Sequence, residues 1–224
     1  MNPHSDLETH ILNPKQKSIG SVIWMHGLGA HHADFDTIVP DLWNGDQLPL
    51  RFVFPNAPVR PVTINNHVSM RAWYDIYSLT DLNHEDQAGI IASRYAITQL
   101  IQQEITNGMP ANRIVLAGFS QGGAMALYTG VRQQQKIAGI LALSCYLPLL
   151  QEHGQHVAEI NQQTPIFIAH GSHDMTLPCF VGKMAYDVVR ETHPNTQWKE
   201  YAMQHEIAPL EILDIRAWLL KVFA

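Results

Sequence analysis

The sequence contains little cysteine: Cys145 and Cys179 are the two cysteines among 224 residues. Both lie in apolar surroundings, so we expect two reduced thiols rather than a disulfide scaffold or a paired-cysteine zinc site. The first ten residues lack the basic stretch and apolar core of a signal peptide, and no apolar run reaches the length of a membrane span. These absences predict a soluble cytoplasmic protein.

A strong charge of either sign is also missing. Charged residues make up 15% of the chain and the formal net charge is −6, which speaks against nucleic acid as a partner and leaves contact with a membrane through an apolar patch open. The apolar fraction of 46% predicts a large core that needs neither disulfide nor metal to fold. No repeat, low-complexity tract or linker appears, so we predict an N-terminal extension at 1–17 and one domain at 18–224.

Apolar runs alternate with stretches of helical spacing along the chain. The clearest helical patterns cover 87–106 and the segment from Pro209 onward. This alternation predicts an α/β fold with a mostly parallel, doubly wound sheet. The segment 57–82, rich in proline and aromatic residues, fits neither pattern, and a functional loop and a cover over the sheet edge explain it equally well. Strands are predicted at 18–25, 50–54, 114–119, 137–144, 165–170 and 198–203.

The pentapeptide Gly-Phe-Ser-Gln-Gly at 118–122 is the most informative motif. It follows an apolar run and precedes a buried helical stretch, and G-x-S-x-G in that context is the nucleophile elbow of an α/β-hydrolase. The tight turn presents the serine hydroxyl at its tip, beside the N-terminal N–H groups of the next helix. The motif therefore predicts Ser120 as a nucleophile.

A serine nucleophile requires a histidine base and an acid that orients the histidine, and in this fold the acid and then the base follow the serine along the chain. Asp174 comes directly after a predicted strand, whereas Asp187 and Asp214 fall within predicted helices. His193 precedes the last predicted strand and His205 follows it. We therefore predict Asp174 as the acid and His205 as the base; a turn residue bound to backbone N–H groups is the alternative for Asp174.

The negative charge that develops on the attacked carbonyl oxygen requires preorganised N–H donors. The backbone N–H of Gln121 is one candidate because this residue follows the nucleophile. The second should come from the loop after an early strand, where His-Gly-Leu-Gly at 26–29 lets the backbone approach a ligand. We predict the N–H of Leu28 as this second donor.

Two clusters of histidines make a metal site the alternative interpretation for these residues. Neither cluster matches H-E-x-x-H or a paired Cys/His zinc pattern, so we predict no metal, a surface loop at 31–32 and structural roles for the histidines that end strands. The two clusters are His26, His31 and His32, and His170 and His173 with Asp174.

Longer segments add to these motifs. Together they resemble the phospholipase/carboxylesterase family, which includes the acyl-protein thioesterases, over nearly the whole chain from residue 18. The main segments are VIWMHGLGA at 22–30, RFVFPNAPVRPVTIN at 51–65, MRAWYDI at 70–76 and GFSQGG at 118–123; ALSCYLP at 142–148, the turn at 171–174 and YAMQH at 201–205 extend the match.

The resemblance implies a small α/β-hydrolase fold without a large cap domain, acting on carboxylic esters or thioesters of medium or long acyl chains. It implies a Ser-Asp-His triad at 120, 174 and 205, oxyanion donors at 28 and 121, no cofactor, and a monomer or weak homodimer. The substrate would be an S-acylated protein, a lysophospholipid or a small ester.

An apolar surface should receive the acyl chain. Core packing is the alternative role for each candidate residue. The candidates are Leu28, Trp73, Ile76, Leu79 and Tyr146.

Two alternatives to a serine esterase stay open at this point. One is a non-catalytic module that binds acyl ligands, and the other is the same fold used for lactone hydrolysis or perhydrolysis.

Overall fold

The computed structural model describes residues 7–45, 47–78, 81 and 84–224. A seven-stranded sheet forms the centre, in the order β1-β3-β2-β6-β7-β8-β9, and a separate hairpin pairs β4 with β5. The strands are β1 Thr9–Leu12, β2 Gly20–Met25, β3 Leu50–Pro55, β4 Val59–Val62, β5 Val68–Arg71, β6 Ile114–Phe119, β7 Gly139–Leu143, β8 Ile166–Gly171 and β9 Thr196–Tyr201. The helices are α1 Val39–Trp43, α2 Gln87–Thr106, α3 Gln121–Gly130, α4 Cys179–Thr192 and α5 Pro209–Val222.

Six strands of the central sheet run parallel, and only the edge strand β1 is antiparallel to its neighbour β3. Successive residues of a strand point to opposite faces, so both faces of the apolar strands can be covered. In β2, Ile23 and Met25 pack with α2, α3 and α4, whereas Val22 and Trp24 pack with α1 and α5. The predicted mostly parallel, doubly wound α/β sheet is confirmed.

The order of the strands reverses between β2 and β6. From β2 the chain adds β3 on one side, and after α2 it returns to place β6 on the other side. In open α/β sheets the loops that leave the carboxyl ends of two such strands diverge and leave a crevice. Here these loops start at His26 and Ser120, which puts the predicted oxyanion loop and the predicted nucleophile at one crevice.

Most predicted strands agree with the structure to within a few residues. The last strand, predicted at 198–203, spans Thr196–Tyr201, and the helix predicted at 87–106 matches α2. The strand β1 lies inside the segment 1–17, has no counterpart among the predicted strands and pairs with β3. The division of the chain at residue 18 stays a prediction.

The segment 57–82 forms secondary structure of its own in its described part. The hairpin of β4 and β5 leads into Trp73 and Tyr74, which are buried. The carboxylate of Asp75 accepts hydrogen bonds from the backbone N–H and the hydroxyl of Thr63, at 2.7 and 2.6 Å, and so holds the hairpin against the chain that follows it. No large cap covers the sheet in the described part of the chain.

None of the helices within the described ranges is both long and apolar enough to cross a membrane.

The first turn of α3 lies directly against the end of β2. A Cβ atom added at Gly122 would lie 2.2 Å from the carbonyl oxygen of Met25, and one added at Gly118 would lie 2.2 Å from the carbonyl oxygen of Gly122. Only backbone atoms fit at these positions, which explains the two glycines of the G-x-S-x-G motif.

We predict that Gly122→Ala lowers the free energy of unfolding by about 1–3 kcal/mol or more, because β2 and α3 must separate to admit the methyl group. Urea unfolding measures this change. Gly154→Ala is the matched control, since a Cβ atom there meets nothing within 4 Å. Equal stability of the two variants would contradict the close packing of α3 on β2.

Candidate active site

Ser120 occupies the sharp turn between β6 and α3. Its φ of 55° and ψ of −123° are strained for a residue with a side chain. Its N–H donates to the carbonyl of Leu143 at 2.8 Å, and its own carbonyl accepts from the N–H of Ala124 at 2.9 Å. These bonds hold the strained turn in place and direct the hydroxyl toward the crevice between β2 and β6.

His205 bridges Ser120 and Asp174 through its two ring nitrogens. Its Nδ1 lies 2.6 Å from Oδ2 of Asp174, and its Nε2 lies 2.9 Å from Oγ of Ser120. Because an ionised carboxylate only accepts hydrogen bonds, Nδ1 carries the proton and Nε2 offers its lone pair to the serine hydroxyl. The structure thus brings together the three residues predicted as nucleophile, acid and base.

Asp174 is held by the loop that follows β8. Its Oδ1 accepts the backbone N–H groups of Thr176 and Leu177, at 2.9 and 2.8 Å, which leaves Oδ2 to the imidazole of His205. The alternative interpretation, a carboxylate that binds backbone N–H groups in a turn, therefore describes one oxygen of the same side chain. Both features fix the direction of the second oxygen.

His170 contacts this loop at two atoms. Its Nε2 lies 2.8 Å from the carbonyl of Leu177 and 3.3 Å from Oδ2 of Asp174. The ring is fully buried, and burial lowers the pKa of His170, so the imidazole stays neutral and its Nε2–H donates a hydrogen bond to the carbonyl of Leu177. These contacts fit the structural role predicted for this histidine.

His26 orients the loop predicted to hold the second oxyanion donor. One ring nitrogen, Nε2, accepts the N–H of Ala57 at 3.0 Å, so Nδ1 carries the proton and donates to the carbonyl of Gly27 at 2.6 Å. Burial lowers the pKa of His26 and keeps the ring in this neutral form. A Cβ atom at Gly27 would lie 3.3 Å from Cβ of Ser120, so the loop at 27–28 passes beside the nucleophile.

Gln121 has a second role that the sequence reasoning missed. Its side-chain Oε1 accepts the N–H of Trp73 at 2.9 Å, and its Nε2 donates to the carbonyl of Tyr74 at 2.8 Å. The indole N–H of Trp73 in turn donates to the carbonyl of His26 at 2.9 Å. The segment after the β4–β5 hairpin is thereby tied to both loops of the crevice.

A cavity of about 510 Å³ opens beside Ser120 and His205. Three of the residues predicted to receive the acyl chain, Leu28, Ile76 and Tyr146, lie on its wall. Trp73 is fully buried behind the loop and is not on the wall, which fits the core-packing alternative, and Leu79 lies outside the described residues. Further apolar residues on the wall are Phe35, Ile38, Phe119, Leu177 and Ile207.

Three of these additional wall residues carry sequence signals. Phe35 and Ile38 lie three residues apart in the short 3₁₀ helix His32–Ile38, the spacing that puts two side chains on one face. Ile207 follows the predicted base by two positions. The loops next to the predicted oxyanion donor and the predicted base are therefore recognisable from the sequence as parts of the pocket.

Tyr146 presents an apolar ring to the cavity. Its hydroxyl lies 2.7 Å from the hydroxyl of Tyr74, and both side chains are buried. Burial raises the pKa of each phenol, so both stay protonated and satisfy one another. The wall at this point offers no charged group to a ligand.

The histidines at 31 and 32 lie against one another and against His10. Their rings lie 3.9 Å apart, and the ring of His10 stacks on His32 at 4.8 Å. Across the described ranges, no group of three or more His, Cys, Asp or Glu side chains is arranged to hold a metal ion.

The chain is similar to known proteins over nearly its whole length. The family model described as phospholipase/carboxylesterase matches residues 7–223. Acyl-protein thioesterase 1 of Emericella nidulans is 36% identical over 220 residues, covering 92% of each chain. The enzyme of the same name from Yarrowia lipolytica is 38% identical over 214 residues, again covering 92% of each.

Solved structures show the same fold. Arabidopsis thaliana SOBER1 superposes with a TM-score of 0.86 at 25% identity and covers 92% of this chain and 99% of its own. Zea mays acyl-protein thioesterase 2 gives a TM-score of 0.86 at 24% identity, with 97% and 99% covered.

We predict that Gln121→Ala lowers the free energy of unfolding by about 1–3 kcal/mol for each buried group left unpaired, here the N–H of Trp73 and the carbonyl of Tyr74. Urea unfolding measures the loss. The control is Gln162→Ala, whose side chain is exposed. A Gln121→Ala variant as stable as the control would contradict the bridging role of the amide.

Proposed function

Since the chain belongs to the phospholipase/carboxylesterase family of α/β-hydrolases, we propose that it hydrolyses esters or thioesters of an apolar acyl chain through an acyl-enzyme on Ser120. The family is one of serine hydrolases, and the relatives above cover nearly the full chain. One observation carries the assignment of residues: the imidazole of His205 lies within hydrogen-bond distance of both Ser120 and Asp174, at 2.9 and 2.6 Å. A binding module has no need of such a base.

The proposed reaction has two acyl transfers. Nε2 of His205 takes the hydroxyl proton as Oγ of Ser120 attacks the carbonyl carbon, and Asp174 stabilises the imidazolium. The backbone N–H groups of Leu28 and Gln121 receive the oxyanion. The imidazolium then protonates the leaving alcohol or thiol, and water, activated by the same histidine, attacks the acyl-enzyme and releases the acid.

The apolar wall of the cavity supports an acyl chain as the group that is bound. Leu28, Ile76 and Tyr146 line it together with the apolar residues named above. We propose an S-acylated protein as the substrate, which the acyl-protein thioesterases among the relatives support, and a lysophospholipid as the second choice. The acyl group enters the cavity, and the protein or headgroup part leaves from its mouth.

We further propose that the enzyme acts in the cytoplasm as a monomer or weak homodimer. The free thiols of Cys145 and Cys179 support a reducing compartment.

We predict that Ser120→Ala abolishes labelling by a fluorophosphonate probe and lowers kcat for p-nitrophenyl esters by a factor of order 10⁶. Ser69→Ala is the matched control, since Ser69 is exposed on β5 and is not on the cavity wall. Absence of labelling in the wild-type protein would sink the serine hydrolase mechanism and favour an acyl-binding module.

We predict that Ile76→Trp shifts the best substrate toward shorter acyl chains, because the larger side chain fills part of the cavity that Ile76 lines. The test is kcat/KM across p-nitrophenyl esters from acetyl to palmitoyl, with matched thioesters. Ile91→Trp, at an exposed position of α2, is the control. An unchanged chain-length profile would show that the acyl chain binds elsewhere.

A further inference from the structure

The loop that carries His205 is short and is held at its two ends. It runs from the end of β9 at Tyr201 to the start of α5 at Pro209. At its first end, the N–H of His173 donates to the carbonyl of Met203 at 3.1 Å. At its second end, the N–H of Ala208 donates to Oε2 of Glu211 at 3.3 Å.

At the second end a side chain adds to a backbone contact, in which the carbonyl of Ala208 accepts the N–H of Ile212 at 3.1 Å. Glu211 is the third residue of α5 and reaches back to the residue before the helix, as the glutamate of a capping box does. Its side chain is fully buried, and its Oε1 has no hydrogen-bond partner. Among residues that the structure describes, no cation lies within 4.0 Å of this carboxyl.

A buried carboxyl without a cation is more stable uncharged. We propose that Glu211 is a positioning residue, whose buried and uncharged carboxyl holds Ala208 and thereby keeps His205 in line with Ser120. The proposal rests on the proposed function, in which His205 is the base. It assigns to Glu211 no contact with the substrate.

Burial raises the pKa of Glu211 to about 8; the hydrogen bond from the N–H of Ala208 acts against this increase, and the nearby carboxylate of Asp214 adds to it. On β9, Lys199 donates to Oδ2 of Asp214 at 2.7 Å, and the hydroxyl of Tyr201 donates to the same oxygen at 2.7 Å. The positive charge of Lys199 is therefore directed to Asp214. Burial raises the pKa of Tyr201, so its hydroxyl stays neutral.

Within the described ranges, the other elements packed on α5 place no cation within 4.0 Å of the Glu211 carboxyl. The carbonyl of Asp41 in α1 accepts a hydrogen bond from Arg216 of α5 itself, at 3.3 Å. The strand β8 contains no Asp, Glu, Lys or Arg. Ionised Glu211 would thus lack a counter-charge in the closed loop, and it would gain hydration only if the start of α5 opened.

The raised pKa of Glu211 determines how the stability of the fold changes with pH. The pKa of Glu211 in the fold, about 8, lies above its ordinary value of 4.5, so the folded protein holds the proton more tightly than the unfolded chain. The stabilisation is complete below about pH 4.5 and is lost as the pH rises through about 8. The closed loop around His205 is lost over the same range.

The test compares the pH dependence of kcat/KM for wild type and Glu211→Gln, from about pH 6 to about pH 10, with spontaneous hydrolysis subtracted. The amide keeps the shape and the acceptor for Ala208 but does not ionise. We expect wild-type activity to fall above pH about 8, whereas Glu211→Gln matches wild type at pH 7 and does not fall with that pKa. Glu159→Gln, at an exposed position, is the matched control and should follow wild type.

Ala208→Pro removes the N–H donor and leaves the carboxyl in place. The φ of Ala208 is −87°, close to the value that a proline ring imposes. We expect kcat to fall about tenfold or more at every pH, because a small displacement of the base slows the chemistry. Ile207, which precedes the substituted residue, lies on the cavity wall, so kcat rather than KM is the measure of this variant. If Glu211→Gln does not fold, this variant still tests whether the contact between Ala208 and Glu211 positions His205.

The proposal is wrong if Glu211→Gln keeps the wild-type decline above pH about 8, or if Ala208→Pro keeps the wild-type kcat. Fluorophosphonate labelling of the wild-type protein distinguishes failure of the Glu211 proposal from failure of the proposed function. A labelled Ser120 with an unaltered variant profile removes Glu211 alone, whereas an unlabelled wild type removes the proposed function.

Discussion

The contact between the first turn of α3 and the end of β2 is the constraint on which the site depends. With glycine at 118 and 122, backbone meets backbone, and the chain turns within one residue from strand to helix. That residue is Ser120, which takes up the strain as a positive φ. A wider turn would move the hydroxyl away from the loop at 27–28, which belongs to the neighbouring strand.

Topology explains why residues distant in sequence meet at this turn. Parallel strands place their carboxyl ends at one edge of the sheet, and β6, β8 and β9 each deliver a loop there. Ser120 follows β6, Asp174 follows β8, and His205 follows β9. Polar contacts hold the loops after β8 and β9, among them those of Asp174 with Leu177 at 2.8 Å and of Ala208 with Glu211 at 3.3 Å.

The sequence predicts those features that depend on local pattern. The apolar runs predict the strands, and the motif around Ser120 predicts a turn with one known geometry. The order of acid and base follows from the fold, which is why Asp174 and His205 are predicted from position alone. The catalytic roles themselves stay a proposal.

Features that depend on distant packing are not predictable in this way. The strand β1 has no long apolar run and is defined by pairing with β3. Trp73 looks like a pocket residue by composition, yet its indole is used to bind the carbonyl of His26. Glu211 leaves a weaker signal, since Ala-Pro-Leu-Glu at 208–211 has proline and glutamate at the positions typical of a helix start.

The two hydrogen bonds of the Gln121 side chain constrain a position that the motif leaves free. The position is one of the two free letters of G-x-S-x-G, and its backbone N–H is available with any residue except proline. In this protein the same residue also supports Trp73 and Tyr74. Because both partners are backbone groups, no substitution in the segment nearly fifty positions earlier can replace the lost amide, and position 121 is constrained by its side chain as well as by its backbone N–H.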